Sequence, residues 1–309
     1  MLTLILKCAV GVADTTFAKL YAVKADEGAI PKLLYIFLVS VFSIFLYAAF
    51  GAFNLPINTA TAIYALIYAA LAAGNMFIQL IIYKKVNLIM FGLLVNFASL
   101  VLPSVYAFIF LGESFSGNFA VAAALILISV LLPIKDLKKE ISKNKDGENS
   151  GNTSKGKTVL IIISLILFVF IVAATSIISK LVASDERVTN KFSFFTYTNI
   201  FVMGFTLIAF IPAALKNKSG LKGYMHRFFG KNIIFALLSI VASAVSFTLS
   251  YTVLETMDLS LNQFASQAVS TVFLTAVSYL VFKEGLTKTT AISVILSILS
   301  FVFLFFIKF

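Results

Sequence analysis

The run LLYIFLVSVFSIFLYAAF, residues 33–50, contains no charged residue. About 20 apolar residues are enough for an α-helix to cross a lipid bilayer. Similar runs recur along the chain, since 61% of its 309 residues are hydrophobic, 12% are charged and the mean hydropathy is +1.03. A soluble domain of this length could not keep so much apolar surface away from water. The sequence therefore predicts a protein that crosses a membrane several times.

Ten apolar runs predict ten transmembrane helices. Their approximate bounds are 2–23, 31–52, 60–82, 87–110, 117–133, 158–181, 192–215, 232–254, 259–282 and 289–307. The runs are continuous, whereas the strands of a membrane barrel alternate apolar and polar residues. The first run carries Asp14 and Lys19 and lacks a cleavage signal, which favours a helix over a signal peptide. The predicted fold class is an all-α membrane protein.

Lysine and arginine residues predict the orientation of the chain. Eighteen of the 24 lie in the odd-numbered connections, three lie on the opposite side, and three lie within helices. Basic residues accumulate in the cytoplasmic loops of membrane proteins. The sequence thus predicts a multi-pass protein of the cytoplasmic membrane with both termini outside.

A polar segment divides the chain into two halves. Residues 134–157 include KDLKKEISKNKDGENSGNTSKGK at 135–157, which is too polar to bury a core. We expect a flexible basic linker here, and a binding site for lipid headgroups is the alternative. The linker separates a first set of five helices, residues 1–133, from a second set, residues 158–309.

The composition also excludes several kinds of site. A single cysteine, Cys8, leaves no disulfide framework or thiolate metal cage, and a single histidine, His226, leaves no histidine cluster. No phosphate-binding loop is present. The net charge of +11 comes mostly from the loops, with no basic patch typical of nucleic-acid binding. We expect no metal, no cofactor and no nucleic-acid partner.

The two halves resemble each other weakly, which indicates an internal duplication. At an offset of 161 residues the matches are LIL at 4–6 and 165–167, Ala13 and Ala174, and Lys19-Leu20 and Lys180-Leu181. At an offset of 171 they are Asn96, Ser99, Val101 and Glu113 with Gln267, Ser270, Val272 and Glu284. Because each half has an odd number of helices, the repeats would be inverted in the membrane, as in many alternating-access transporters.

These residues resemble the drug/metabolite transporter superfamily, specifically its ten-helix EamA-type members. The most specific likeness is Pro103 within the fourth run, followed by FLGESFSG at 110–117. FKEGLT at 282–287 looks like a second copy, in which Leu274 replaces the proline and the Gly-Glu order is reversed. The resemblance implies two inverted five-helix repeats and secondary transport of small molecules.

Asp14 is the only carboxylate predicted at membrane depth, where an ionisable residue costs several kcal/mol and is a functional candidate. The segment GVADTTFAK at 11–19 is similar to the first helix of the small multidrug exporters of the same superfamily. Those proteins carry a coupling carboxylate where this chain has Gly11, one turn from Asp14. The resemblance implies proton coupling through Asp14, and a structural aspartate bonded to hydroxyls or a lysine is the alternative.

Other polar residues at membrane depth complete the predicted substrate-binding or coupling site. Its members are Asp14, Lys19, Tyr68, Asn75, Gln79, Asn96, Lys180, Asn199, Gln263 and Gln267. Lipid cannot satisfy amide groups, so these side chains should face other helices or a hydrated cavity. Lys7, near the start of its helix, is expected to reach the membrane surface instead.

Three further patterns favour structural roles. The serines at 239, 243, 246 and 250 share one helical face, which is typical of close helix packing. Glu113 and Glu284 follow helix ends, where each should cap the next helix.

The predicted function is secondary active transport of a small metabolite or drug-like molecule, with export and proton coupling as its expected form. The alternatives are a flippase for a lipid or lipid-linked sugar and an integral-membrane lipid-modifying enzyme. An enzyme is disfavoured because the acidic pairs lie in polar loops without a histidine. The expected partners are a small-molecule substrate and the lipid bilayer, with the protein as a monomer or a homodimer.

Overall fold

A computed structural model describes residues 1–25, 28–84, 88–113, 117–132, 153–188, 190–216, 223–225, 232–285 and 287–306. Most of the predicted linker, residues 134–152, lies outside the described residues. The side chain of Asn96 is also outside the description, although its backbone is helical.

Ten long helices form within the described residues, and none of those residues is in a strand. In chain order they are α1 (Leu2–Lys24), α2 (Ala29–Phe50), α3 (Thr59–Ile82), α4 (Leu88–Phe110), α5 (Gly117–Leu131), α6 (Thr153–Ser184), α7 (Lys191–Lys216), α8 (Ile233–Thr256), α9 (Leu259–Leu280) and α10 (Lys288–Phe306). The all-α fold class is confirmed.

Six of these helices are long and apolar enough to cross a membrane, namely α2, α3, α6, α7, α8 and α10. This pattern is that of a multi-pass membrane protein. Helices α1 and α9 carry charged or amide side chains such as Asp14 and Gln267, which lower their hydropathy, and α5 is only 15 residues long. Ten crossings therefore stay a prediction.

Helix α6 begins earlier than predicted. The structure starts it at Thr153, so the last residues assigned to the linker are helical. Lysine, threonine and serine at 153–157 are compatible with a solvated first helical turn, and hydropathy alone cannot detect such an extension.

The helices pack mainly against helices of the other half. Helix α1 packs against α8 and α3 against α6, while α2 contacts α7, α4 contacts α9 and α5 contacts α10. Helices α4 and α9 approach closely at Gly92, where a Cβ atom would lie 2.5 Å from Leu274 Cδ1. The core is thus formed between the halves and not within each half.

Two matching turns end α4 and α9. The amide of Glu113 donates to the carbonyl of Ala107 over 3.3 Å, and the amide of Glu284 donates to that of Ser278 over 3.1 Å. The preceding residue has a left-handed backbone in both turns. These turns direct both glutamates back toward the helix bundle.

Candidate functional site

A cavity of about 150 Å³, here the Asp14 cavity, lies between α1, α2, α3, α7 and α8. Its walls include Asp14, Tyr68, Asn75, Gln79 and Asn199. Five of the predicted site residues are therefore brought together from three helices. Polar residues on one helical face predicted this grouping because each face turns its side chains in one direction.

The carboxylate of Asp14 is bound by hydroxyl groups. Ser239 Oγ of α8 donates to Asp14 Oδ1 over 2.5 Å, and the hydroxyl of Tyr35 shares a 2.7 Å hydrogen bond with the same serine. Ser243, one turn further along α8, also lines the cavity. The described residues include no cation paired with Asp14. The carboxylate is thus held in place without being neutralised.

A second cavity of about 250 Å³, here the Lys7 cavity, has Lys7, Ser250, Asn262 and Gln263 in its walls. Lys7 Nζ donates to Asn262 Oδ1 over 2.9 Å and to Ser266 Oγ over 2.8 Å, both on α9. The expectation that Lys7 reaches the membrane surface is therefore wrong. The polar face of α9 offers a nearer set of acceptors than the surface does.

The two cavities are adjacent and share five wall residues. These are Tyr68, Asn75, Thr175, Phe195 and Phe247. Two oxygen atoms in these walls, Asn75 Oδ1 and Thr198 Oγ1, are buried without a hydrogen-bond partner. Because a buried polar atom without a partner costs about 1–3 kcal/mol, both are available to a bound molecule.

A third cavity of about 460 Å³, here the Asp185 cavity, opens at the protein surface between the end of α6 and the start of α7. It shares Tyr251 with the Lys7 cavity. The three cavities therefore form a series from the surface near Asp185 to Asp14. We call this end of the molecule the Asp185 end.

At the Asp185 end, Arg187 binds Asp185 through two parallel hydrogen bonds, Nε to Oδ1 over 2.9 Å and Nη2 to Oδ2 over 2.7 Å. The Arg187 side chain holds the pKa of the Asp185 carboxyl well below its usual range. The hydroxyl of Tyr64 also donates to Asp185 Oδ2. The cavity entrance thus has a fixed ion pair.

At the opposite end of the bundle, Lys19 and Glu284 form an ion pair, with Lys19 Nζ 2.5 Å from Glu284 Oε1. Lys19 is 3% exposed, and neither residue lines any of the three cavities. The predicted cavity-facing role of Lys19 is therefore not supported. We call this end the Glu284 end.

The Lys180 ammonium donates to the carbonyls of Leu254 and Met257, over 3.0 and 3.1 Å. It lies at the end of α8, outside the walls of the three cavities. These free carbonyls of a helix C-terminus attract a cation. Lys180 thus caps α8 and does not line the predicted site.

The two glutamates cap helices, but not the helices that follow them. Glu113 accepts hydrogen bonds from the amides of Leu259 and Ser260, at the start of α9, and Glu284 accepts one from the amide of Leu88, at the start of α4. The expectation that each caps the next helix is wrong. The chain turns back after α4 and α9, so the carboxylates reach the opposite half.

The remaining predicted site residues are separated. Gln263 lines the Lys7 cavity, whereas Gln267 is buried and its Nε2 has no partner. The serine face of α8 serves both packing and the site, because Ser239 binds Asp14 while Ser246 Oγ lies 3.1 Å from a Cβ built on Gly11. The sequence missed Lys7, although its position two turns from Asp14 on one face was a usable signal.

Comparison with protein-family models finds no match to the chain, and no curated protein is significantly similar to it. The functional argument therefore depends on the site itself.

Proposed function

We propose that the protein is a secondary transporter that moves a small molecule across the cytoplasmic membrane by alternating access. The observation that carries this proposal is the unequal state of two equivalent ends. Lys19 pairs with Glu284 at one end, while the equivalent residues Lys180 and Glu113 form no ion pair at the other. The cavities open at that second end.

The helix contacts support two inverted five-helix repeats. Adding five to the helix numbers of the first half converts the α1–α8 contact into the α6–α3 contact, and α3–α7 into α8–α2. Hydrogen bonds between Asp14 and Ser239 and between Lys7 and Ser246 place α1 antiparallel to α8. Lys180 binds the C-terminal end of α8, so α6 runs parallel to it. The first helices of the two halves therefore run in opposite directions.

The glutamate caps support the same relation. Glu113 and Leu259 are displaced by 171 residues from Glu284 and Leu88, respectively, in the two directions of the repeat, and each glutamate binds the amide of its leucine. Inverted repeats of this kind let one arrangement of residues open either end in turn. The Lys19–Glu284 pair would form when the Glu284 end is closed, and the Lys180–Glu113 pair when the Asp185 end is closed.

Asp14 is proposed as the coupling residue. It lies at the inner end of the cavity series and is bound only by neutral groups among the described residues. A carboxylate in this position can exchange a proton for a substrate, which would drive export. The drug/metabolite transporter resemblance supports this role. The charged and amide-lined walls favour a small polar substrate over a lipid, and they contain no cluster of catalytic groups.

Transport into proteoliposomes tests the proposal. The purified protein is reconstituted with a pH-sensitive dye inside, a pH gradient is imposed, and proton flux is recorded as members of a metabolite panel are added. We expect substrate-dependent flux from the wild-type protein and none from Asp14→Asn. A substrate that moves equally well with and without the gradient, and with either protein, would exclude proton coupling.

A further inference from the structure

Lys7 and Asp14 are the two charged residues in the walls of the Lys7 and Asp14 cavities. Neither forms an ion pair with any residue in the part of the chain that the structure describes. A charge held in a low-dielectric interior without a counter-ion costs several kcal/mol. The hydrogen bonds from Ser239 and to Asn262 offset part of this cost but leave both charges uncompensated.

The two charges face the same region of the bundle. Seven residues separate them along α1, which places them on one helical face and their Cα atoms about 10 Å apart. Between them lies Gly11, which has no side chain and therefore leaves this face open. A molecule lying along α1 can thus reach both groups.

The walls between the charges are largely aromatic. Tyr68, Phe195 and Phe247 line both cavities, and Tyr68 contacts Phe194 edge to face with ring centroids 5.5 Å apart. Asn75 Oδ1 adds a hydrogen-bond acceptor without a partner. Aromatic walls with few polar groups favour a flat or extended apolar body over a hydrated one.

We propose that the cavities bind an amphoteric molecule, with a cationic group at Asp14, an anionic group at Lys7 and an apolar body between the aromatic walls. Such a ligand neutralises both uncompensated charges in one binding event. In the proposed transport cycle its cation would displace the proton from Asp14. The inference deepens the proposed function, since it states which class of small molecule is carried.

Binding to the purified full-length protein in detergent micelles tests the inference by isothermal titration calorimetry. The amphoteric probes are 4-(aminomethyl)benzoate, 6-aminohexanoate and 8-aminooctanoate, which differ in the distance between their charges. Benzylamine and benzoate each carry one of the two charges of the aromatic probe. We expect at least one amphoteric probe to bind about tenfold more tightly than either, a difference of roughly 1.4 kcal/mol.

Two variants assign the charges. Lys7→Met should remove the preference for the amphoteric probe over benzylamine, and Asp14→Asn should remove its preference over benzoate. Lys24→Met, which changes a lysine of the same helix outside the cavities, should change neither preference. Gel filtration and thermal unfolding show whether each variant is folded.

Three results would overturn the inference: equal affinity for benzylamine and the amphoteric probe, a preference that survives Lys7→Met, or no binding of any probe at millimolar concentration by folded protein. Proton flux in proteoliposomes separates this failure from failure of the transport proposal. Selective binding without flux would overturn transport alone, whereas flux without selectivity would overturn the charge assignment alone.

Discussion

Lys283 adopts the same left-handed backbone conformation as Gly112, which precedes it by 171 residues, with φ angles of 53° and 66°. Each residue stands directly before the glutamate that caps a helix of the other half. Glycine accepts this conformation without steric cost, whereas a residue with a Cβ atom does not. The second half therefore keeps the turn at some cost in stability.

Lys283→Gly should stabilise the protein by about 0.5–1 kcal/mol, because it relieves this steric cost. The side chain is exposed, so its loss removes little packing. Unfolding by dodecyl sulfate in mixed micelles measures the difference. Gly112→Ala is the matched change in the first half and should destabilise. An equal loss of stability in both variants would show that the left-handed conformation is not the determining factor.

Removal of one partner of the Lys19–Glu284 pair should destabilise the protein strongly. Lys19→Met leaves a partly buried carboxylate without its cation, and breaking a buried pair in this way costs about 3–5 kcal/mol. Lys19→Met combined with Glu284→Gln should lose less than the sum of the single changes. The same unfolding assay gives the coupling energy, and additive losses would contradict a coupled pair.

The same pair should control which end of the protein is open. In a Cys8→Ser background, a cysteine at Thr15 reports on α1 toward the Glu284 end, and a cysteine at Ser250 reports on the Lys7 cavity. Lys19→Met should raise the rate of maleimide labelling at position 15 and lower it at position 250. The structure is stabilised at the Glu284 end by that ion pair, so its loss shifts the population.

Labelling that rises at both positions would indicate general loosening and would contradict alternating access. Thr290→Cys, at a buried site in α10 outside the three cavities, reports such loosening directly.

The Asp185–Arg187 pair predicts a pH dependence at the entrance. Because Arg187 lowers the pKa of Asp185, the pair stabilises the folded protein above the ordinary carboxylate pKa, and the stabilisation is lost as pH falls below the lowered value. Asp185→Asn should therefore reduce the melting temperature at pH 7 and at pH 4. The difference should shrink only at more acidic pH. Arg187→Gln should move that loss to higher pH, and thermal unfolding of all three proteins at each pH measures it.

The positions of the helices could be predicted from the sequence because continuous apolar runs fix them. All ten predicted runs coincide with helices to within a few residues, and the main difference is the polar start of α6 at Thr153. The membrane crossings of α1 and α9 were harder to establish, since their cavity-facing polar groups lower the same hydropathy that identifies a span.

The candidate site could be predicted only where one helical face was enough. Tyr68, Asn75 and Gln79 share a face of α3 and line the Asp14 cavity together. Lys7 and Lys19 were assigned in the opposite sense, because distance from a helix end does not show which neighbour offers a partner. Asn262 and Glu284, which bind these lysines, are more than 250 residues away in sequence.

Helix α1 receives its partners in an order opposite to that of synthesis. Lys7, Asp14 and Lys19 bind residues of α8, α9 and the turn after α9, and 225 residues separate Asp14 from Ser239. At about 5–20 residues per second, the ribosome needs roughly 10 s or more to add that length. The first helix made by the ribosome therefore carries three charges into the membrane before the side chains that bind them exist, and assembly of the second half completes its insertion.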